Sequence, residues 1–383
     1  MLILVLAACG DDDDDNTASG GGGDNGSGSK QAVTIAYVGP LTGDAANLGI
    51  NIRNGAKTAI EEYNKKADAK YTITLKEFDT QGDPAQATTV KDQYINDDKI
   101  IGVVGPAFSG ETKAVIPALQ EAGLVMISAS ATNKDLPTVV PDGTVFHRVI
   151  ADDTFQGQAI GDYITSKLSG KNIVVIDDNS EYGKGLATDT SKAIAAKGGK
   201  VAKNLTIDPK SQDFSAAVND TKAANPDVVF YAGYYQEAGR LKKQLTDGGV
   251  KATFISGDGS LDPGFIQAAG AAGAEGALLS CPCNLANDAS TGKLGDFYKS
   301  YKEVNGQDPG TYSPEAYDVA NIFINGIEAG NTTREKMLNY VEKDFTSYDG
   351  VSKTIEFQDN GNIKTPQLFV FEVKGGKIVA KEG

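Results

Sequence analysis

Hydroxyl, aromatic and acidic side chains directly follow several short apolar runs of this chain. After the runs in the first half, the residues are mainly glycines and hydroxyl-bearing residues; after those in the second half, they are tyrosines and one aspartate. Ligands of parallel sheets bind at the carboxyl ends of the strands, so residues in these positions are candidates for a binding site. They are Phe108, Ser109, Ser130 and Thr132 in the first half, and Tyr182, Tyr234, Tyr235 and Asp258 in the second.

The two groups differ in chemistry. Ser109 is predicted at the start of a helix, where unpaired backbone N–H groups favour a carboxylate. Asp258 suits an ammonium group, and the tyrosines offer aromatic faces to a cation. Two facing half-sites of this kind would complement a zwitterion. Each residue also has a plainer interpretation: Ser109 as a helix cap, Asp258 as part of a turn, and the tyrosines as surface.

The elements that must position these residues alternate along the chain. Short β-branched or apolar runs predict strands, and segments with apolar residues at helical spacing, such as 52–63 and 115–122, predict helices. Continuous apolar strands alternating with amphipathic helices indicate parallel sheets covered on both faces, so we expect an α/β fold. The predicted strands are 33–38, 100–104, 124–128, 173–176, 227–231 and 252–256.

The last third of the chain predicts one more helix and a different kind of strand. Ser313, Pro314 and Glu315 are typical of a helix start, with serine as the cap and proline in the first helical position. The segment 354–379 alternates more, and turn residues at 359–361 and 375–376 indicate hairpins or edge strands.

Chain length and net charge limit the classes of function that the chain can have. A chain of 383 residues exceeds one ordinary core and predicts about two lobes. The net charge of −15 argues against nucleic acid and against a polybasic membrane patch.

The sequence also argues against an enzyme. No dinucleotide or Walker motif follows a predicted strand, because the glycine-rich run lies at 20–28. Ser109 lacks the preceding glycine of a nucleophile elbow, and His147 is the single histidine. We therefore expect no catalysis, no cofactor and no metal.

The N-terminus predicts export and anchoring. The apolar run 2–6 is followed by Ala7, Ala8 and Cys9, which resembles the lipobox of a bacterial lipoprotein with Cys9 as the lipidated residue. No Lys or Arg precedes the short apolar run, so either the start lies upstream or the run is a chance apolar start. Residues 10–31 are predicted as a disordered tether. No later run spans a bilayer, which indicates a body held outside the cytoplasm by lipid alone.

Cys281 and Cys283 remain once Cys9 is assigned to lipid. A pair separated by one residue forms a small disulfide in an oxidising compartment, which we favour over two buried free thiols.

The body resembles the branched-chain amino-acid (Leu/Ile/Val) binding proteins, the type I periplasmic binding proteins of ABC importers. The resemblance runs from about residue 32 into the C-terminal third and follows the family's order. The matching strings are 39–43, 55–62, 78–84, 127–132, 181–186, 231–234 and 316–317.

The resemblance implies two lobes joined by three crossovers and closed on a ligand by a hinge, with ABC permease subunits as partners and a monomeric binding protein. The first lobe would comprise 32–151 and 282–364, and the second 152–281 and 365–383. Ser109 and Thr132 would hold a carboxylate beside the backbone of Phe108 and Ser130. The second wall and the side-chain pocket would be Tyr182, Tyr234, Asp258 and Tyr312.

Three departures from the family pattern concern the ligand. Leu48 stands where an aromatic residue edges the pocket, Asp258 where a longer glutamate is common, and Tyr312 where phenylalanine is frequent. Leucine, isoleucine or valine is therefore the leading ligand class, with a polar amino acid, an amide or an aromatic acid as alternatives. A sensory role that presents the ligand to a membrane receptor uses the same chemistry.

Overall fold

The computed structural model describes residues 30–381. The predicted lipidation at Cys9 and the tether up to residue 29 lie outside this range, as do residues 382–383. Regular structure begins at Gln31 with the first strand.

The first section of the chain builds a parallel five-stranded sheet in the order β2-β1-β3-β4-β5. Its inner strand β3 is buried at every position, which explains its continuous apolar sequence. The elements are β1 (Gln31–Gly39), α1 (Ala46–Asn64), β2 (Tyr71–Asp79), α2 (Pro84–Ile95), β3 (Ile100–Val104), α3 (Ser109–Glu121), β4 (Met126–Ser128) and β5 (Phe146–Arg148).

The second section repeats this plan around another sheet. The strands β7-β6-β8-β9-β10 are parallel neighbours in that order. In both sheets the order in which strands are added therefore reverses at one point, between β1 and β3 in the first sheet and between β6 and β8 in the second. The elements are α4 (Asp153–Asp162), β6 (Asn172–Asp177), α5 (Glu181–Ala196), β7 (Lys200–Thr206), α6 (Ser215–Ala224), β8 (Val228–Ala232), α7 (Tyr235–Asp247), β9 (Thr253–Ser256), α8 (Pro263–Ala269), α9 (Ala271–Ala274) and β10 (Leu278–Cys281).

The last section returns to both sheets. Helix α11 packs on α1 and β3 of the first sheet, whereas β13 pairs antiparallel with β10 of the second and forms a hairpin with β14. The chain thus passes between the sheets after β5, after β10 and before β13. The elements are α10 (Gly292–Asn305), α11 (Ser313–Glu328), α12 (Arg334–Asn339), β11 (Tyr348–Asp349), β12 (Thr354–Ile355), β13 (Phe369–Lys374) and β14 (Lys377–Ala380).

The architecture confirms the predicted α/β fold with parallel sheets, and the six predicted strands correspond to β1, β3, β4, β6, β8 and β9. We call the part built on the five-stranded sheet the first lobe and the part built on the seven-stranded sheet the second lobe. The predicted helix start at 313–315 is one residue off, because Tyr312 occupies the cap position and Ser313 is already helical.

Two buried features mark the passages between the lobes. The Lys353 ammonium donates to the carbonyl oxygens of Val149 (3.2 Å) and Pro282 (3.3 Å), and to the Glu315 carboxylate (3.2 Å). Val149 follows β5 and Pro282 follows β10, so one cation links two of the three crossing segments. Cys281 and Cys283 form a disulfide at the second crossing.

Candidate functional site

The first lobe presents the start of helix α3 to the cleft between the two lobes. Ser109 is the first helical residue and is buried, and its Oγ accepts a hydrogen bond from the backbone N–H of Asn133 (3.1 Å). The Ser109 hydroxyl hydrogen therefore stays available as a donor. Together with the unpaired N–H groups of the first turn and the positive end of the helix dipole, it forms a site suited to a carboxylate.

The second lobe presents a carboxylate held by two phenols. Asp258 is 1% exposed, and its two oxygens accept hydrogen bonds from the hydroxyls of Tyr182 and Tyr312, each at 2.7 Å. Burial raises the pKa of Asp258, and the two tyrosine hydrogen bonds oppose that rise. Each carboxylate oxygen has a second lone pair, so Asp258 can still accept from an ammonium group.

Aromatic rings close the space between these half-sites. The ring of Phe108 from the first lobe lies 4.5 Å from that of Tyr234 in the second, and Tyr234 lies 5.4 Å from Tyr182, measured between ring centroids. These faces can cover an aliphatic side chain and attract a cation.

Two glutamates that the sequence analysis did not single out position this aromatic pair. The Glu111 carboxylate accepts from the backbone N–H of Phe108 (2.8 Å), and that of Glu237 accepts from the backbone N–H of Tyr234 (3.0 Å). Each glutamate lies three residues beyond its aromatic partner, at the first turn of α3 or α7. A glutamate three residues after the cap position is the second half of a capping box, so this spacing could have identified both residues from the sequence.

The structure brings most of the predicted site residues around one cavity. Its lining is Phe108, Ser109, Ser130, Tyr182, Tyr234, Asp258, Gly259 and Tyr312, of which Gly259 was not predicted. Thr132 is buried beside this cavity without lining it, and Leu48 lies fully buried in the core. The cavity volume is about 10 Å³, room for about one water, because the two walls are in contact.

Larger grooves are also present among residues 30–381, and one of about 400 Å³ shares Phe108 and Tyr234 with the small cavity. One of about 550 Å³ lies beside the β13–β14 hairpin and is lined mainly by apolar residues. We therefore assign the candidate site to the small interlobe cavity, on the chemistry of its lining.

Tyr312 has a strained backbone. Its φ of 68° is in the left-handed region, which is rare for an aromatic residue, and its side chain is buried. Such strain persists only where the surroundings determine the conformation, and it concentrates at binding sites. Here it directs the Tyr312 hydroxyl from the first lobe to Asp258 of the second.

The buried capping glutamates predict the pH dependence of stability. Burial raises the pKa of Glu237 from 4.5 to about 8 and that of Glu111 from 4.5 to about 7. Between the ordinary glutamate pKa of 4.5 and these raised values, the folded state holds protons that the unfolded state has released. The free energy of unfolding should therefore fall as pH rises from about 5 to 8. Glu237→Gln, which keeps an acceptor for Tyr234, should reduce that fall by roughly 1–3 kcal/mol.

Urea unfolding at pH 5, 6, 7 and 8 measures this dependence. Glu335→Gln, which changes an exposed glutamate, is the control and should keep the wild-type slope. An unchanged slope in Glu237→Gln would contradict the prediction.

Membrane-spanning helices and metal-binding clusters are absent from residues 30–381. Their helices include none with the length and hydropathy needed to cross a bilayer. Their His, Cys, Asp and Glu residues include no group of three or more arranged to hold a metal ion.

Comparison with known proteins agrees with this geometry. The model of the periplasmic binding protein family matches residues 32–377. A Leu/Ile/Val-binding protein homologue of Brucella melitensis is 31% identical over 353 residues, which is 91% of this chain and 94% of that protein. The leucine-, isoleucine-, valine-, threonine- and alanine-binding protein of Pseudomonas aeruginosa is 30% identical over 344 residues, 89% of each chain.

Solved structures show the same likeness. The branched-chain amino acid transporter substrate-binding protein LivJ of Streptococcus pneumoniae, in complex with isoleucine, superposes with a TM-score of 0.84 at 26% identity and covers 92% of this chain and 99% of its own. The leucine-binding protein LivK of Thermotoga maritima gives 0.83 at 28% identity, covering 91% and 98%. The predicted family resemblance and two-lobed fold are confirmed, and the chain belongs to the periplasmic binding protein family.

Proposed function

We propose that this chain is the extracytoplasmic substrate-binding protein of an ABC importer and that it binds a branched-chain or related amino acid between its lobes. The observation that carries the proposal is the pairing across the cleft: a helix start with a free Ser109 hydroxyl in one lobe faces the buried Asp258 carboxylate of the other. That pairing complements the carboxylate and the ammonium of an amino acid. The names of the relatives support the same ligand class.

The binding cycle follows from the division of the site between lobes. The ligand carboxylate docks first on the Ser109 hydroxyl and the α3 amides. The second lobe then closes, which adds Asp258 and the tyrosines and excludes water. Closure is driven by the contacts that the ligand gains only in the closed state. A cavity of about 10 Å³ supports this order, because an amino acid can enter only when the lobes separate.

Polar contacts between the lobes support a distinct closed state. Asn47 of α1 donates to the Asp262 carboxylate (2.9 Å), and Lys134 pairs with Asp189 (3.0 Å). We propose that the lobes rotate as the units 32–151 with 282–364 and 152–281 with 365–383. The hinge would then be the three crossings, including the one beside Lys353.

Chemistry favours an amino acid over an aromatic acid. An aromatic acid carries no cation for Asp258, and a buried carboxylate without a cationic partner is costly. Tyr182 and Tyr312 line the cavity, and their hydroxyl oxygens, which donate to Asp258, can still accept a hydrogen bond; this suits small hydroxyl-bearing side chains as well as aliphatic ones.

A thermal-shift screen tests the proposal. Leucine, isoleucine, valine, threonine, alanine and benzoate are each added to the chain at high concentration. A ligand at a hundred times its Kd stabilises the folded state by about 2.7 kcal/mol. We expect a rise of a few degrees in Tm with branched-chain amino acids and none with benzoate. A rise in Tm with benzoate alone would change the proposed ligand class to aromatic acids. An unchanged Tm with every compound would refute the binding function.

Membrane attachment and partners are part of the same proposal. We propose that Cys9 carries the lipid, that the body is a monomer and that its closed form docks on ABC permease subunits. Cys9→Ser should release the protein from the membrane fraction of expressing cells. Sensing remains the competing use of the same site, and uptake of labelled ligand in a gene deletion distinguishes transport from it.

A further inference from the structure

The disulfide between Cys281 and Cys283 lies where the chain leaves the second lobe. Cys281 is the last residue of β10, and Cys283 follows it after a single proline. Both cysteines are fully buried and belong to the hydrophobic core. A reductant must reach a sulfur atom before it can open the bond, so the disulfide is protected while the lobes are packed as in this structure.

Contacts on both sides join this disulfide to the other two crossings. Cys281 pairs with Phe369 in the antiparallel ladder of β10 and β13, and β13 directly follows the third crossing. The carbonyl oxygen of Pro282 accepts from the Lys353 ammonium (3.3 Å), which also donates to Val149 at the first crossing (3.2 Å). The second crossing is therefore in contact, directly or through Lys353, with both of the others.

The disulfide also limits rotation at the second crossing. Lobe rotation requires changes of backbone dihedral angles in a few residues of the crossing segments. The bond between Cys281 and Cys283 closes a ring around Pro282, whose own φ is fixed by its side chain. Opening the ring would return dihedral freedom to this crossing. The separated lobes would gain more from that freedom than the packed lobes, in which the β10 ladder and Lys353 hold the segment in place.

We propose that the Cys281–Cys283 disulfide is a redox-sensitive element of the hinge, whose reduction favours the open lobes and weakens ligand binding. The proposal rests on the proposed function, because it needs a ligand that binds between the lobes. Ligand binding and disulfide reduction then oppose each other. By thermodynamic linkage, the factor by which reduction raises the Kd equals the factor by which bound ligand disfavours reduction.

The reduction is a thiol–disulfide exchange with a small dithiol such as dithiothreitol. One thiolate of the reagent attacks a cysteine sulfur, the S–S bond breaks, and a mixed disulfide forms. The second thiol of the reagent then displaces the bound cysteine, so the reagent leaves as a cyclic disulfide. The reagent has supplied two electrons, and each cysteine of the protein has taken up one proton.

Calorimetry on the two redox forms tests the effect on binding. The full chain with Cys9→Ser is used, since Cys281 and Cys283 are then its only cysteines. Leucine is the probe, and isoleucine or valine replaces it if leucine gives no thermal shift. We expect reduction to raise the Kd by about 5- to 30-fold, the effect of freeing the backbone of about one residue in the open state. Near-UV circular dichroism and thermal unfolding check that the reduced chain stays folded.

The redox equilibrium measures the same coupling from the other side. The chain is equilibrated with mixtures of reduced and oxidised dithiothreitol, with and without saturating amino acid, and free cysteines are alkylated and counted by mass spectrometry. The bound amino acid should raise the ratio of reduced to oxidised reagent needed for half reduction by the factor found for the Kd. The double variant Cys281→Ser, Cys283→Ser is the control: it should bind as the reduced chain does, and dithiothreitol should not change its affinity.

The outcomes separate this inference from the proposed function. Equal Kd values in the two redox forms, or a redox equilibrium that the bound amino acid leaves unchanged, would overturn the inference while the proposed function stands. A reduced chain that loses its near-UV signal would show that the disulfide only stabilises the fold, which also overturns the inference. If the oxidised chain binds none of the amino acids in the thermal-shift screen, both are overturned.

Discussion

Replacing Asp258 by asparagine should lower the affinity for a zwitterionic amino acid by roughly 100-fold or more, because loss of one partner of a buried charge pair costs about 2–5 kcal/mol. Asparagine keeps an oxygen for the Tyr182 and Tyr312 hydroxyls, so the wall of the cavity should stay in place. Calorimetric titration with the amino acid that responds in the thermal-shift screen measures the loss.

The control for this variant is Asp318→Asn. Asp318 is also a buried carboxylate, but it accepts from the backbone N–H groups of Val351 and Ser352 in the first lobe, outside the cavity lining. It should leave the affinity within about twofold even where it changes stability, because its hydrogen-bond partners lie outside the cavity lining. Unchanged affinity in Asp258→Asn would remove Asp258 from the site. A lower Tm in both variants, with an equal loss of affinity in Asp318→Asn, would indicate a general folding defect instead of a lost ligand contact.

Replacing Lys353 by methionine should destabilise the fold by about 3–5 kcal/mol, since it leaves a buried carboxylate without its cation. The Lys353 side chain is 6% exposed, and Glu315, its partner, is fully buried. The same change also removes the donor to the carbonyl oxygens of Val149 and Pro282 at two crossings. Urea unfolding measures the effect.

Two further variants show whether the loss of stability in Lys353→Met comes from the broken ion pair. Lys293→Met removes an exposed lysine that pairs with Asp349, and it should change stability by less than about 1 kcal/mol. The double variant Lys353→Met, Glu315→Gln should recover much of the loss, because the uncompensated charge is then absent. A double variant no more stable than Lys353→Met would contradict the ion-pair explanation and assign the effect to the carbonyl contacts.

Most inner strands were predictable because they are buried on both faces, but the short inner strand β10 was missed although it is buried at every position. β3 and β8 are buried at every position and appear in the sequence as uninterrupted apolar runs. The edge strands β2 and β7 were missed, since most of their positions are at least partly exposed and the sequence there is mainly polar. Strand order could not be read from pattern at all, because pairing joins segments distant along the chain.

For the site, the residues that follow the strands were predictable from the chain alone and make up most of the cavity lining. Residues after β3, β4, β6, β8 and β9 converge because the carboxyl ends of parallel strands meet at one edge. Tyr312 and Leu48 entered only through the family resemblance, and the structure separates them: Tyr312 reaches Asp258, whereas Leu48 packs in the core.

Local periodicity and the residues after each strand were therefore enough to predict the α/β class, the alternation of elements and the loops that carry binding chemistry. The folded chain was needed to show which side chains from the two lobes meet. The Tyr182 and Tyr312 hydroxyls contact Asp258, the Phe108 ring contacts Tyr234, and Lys353 lies at the crossings. The physical reason is that these contacts join residues far apart in the chain, and their energies depend on burial that arises only when the lobes pack together.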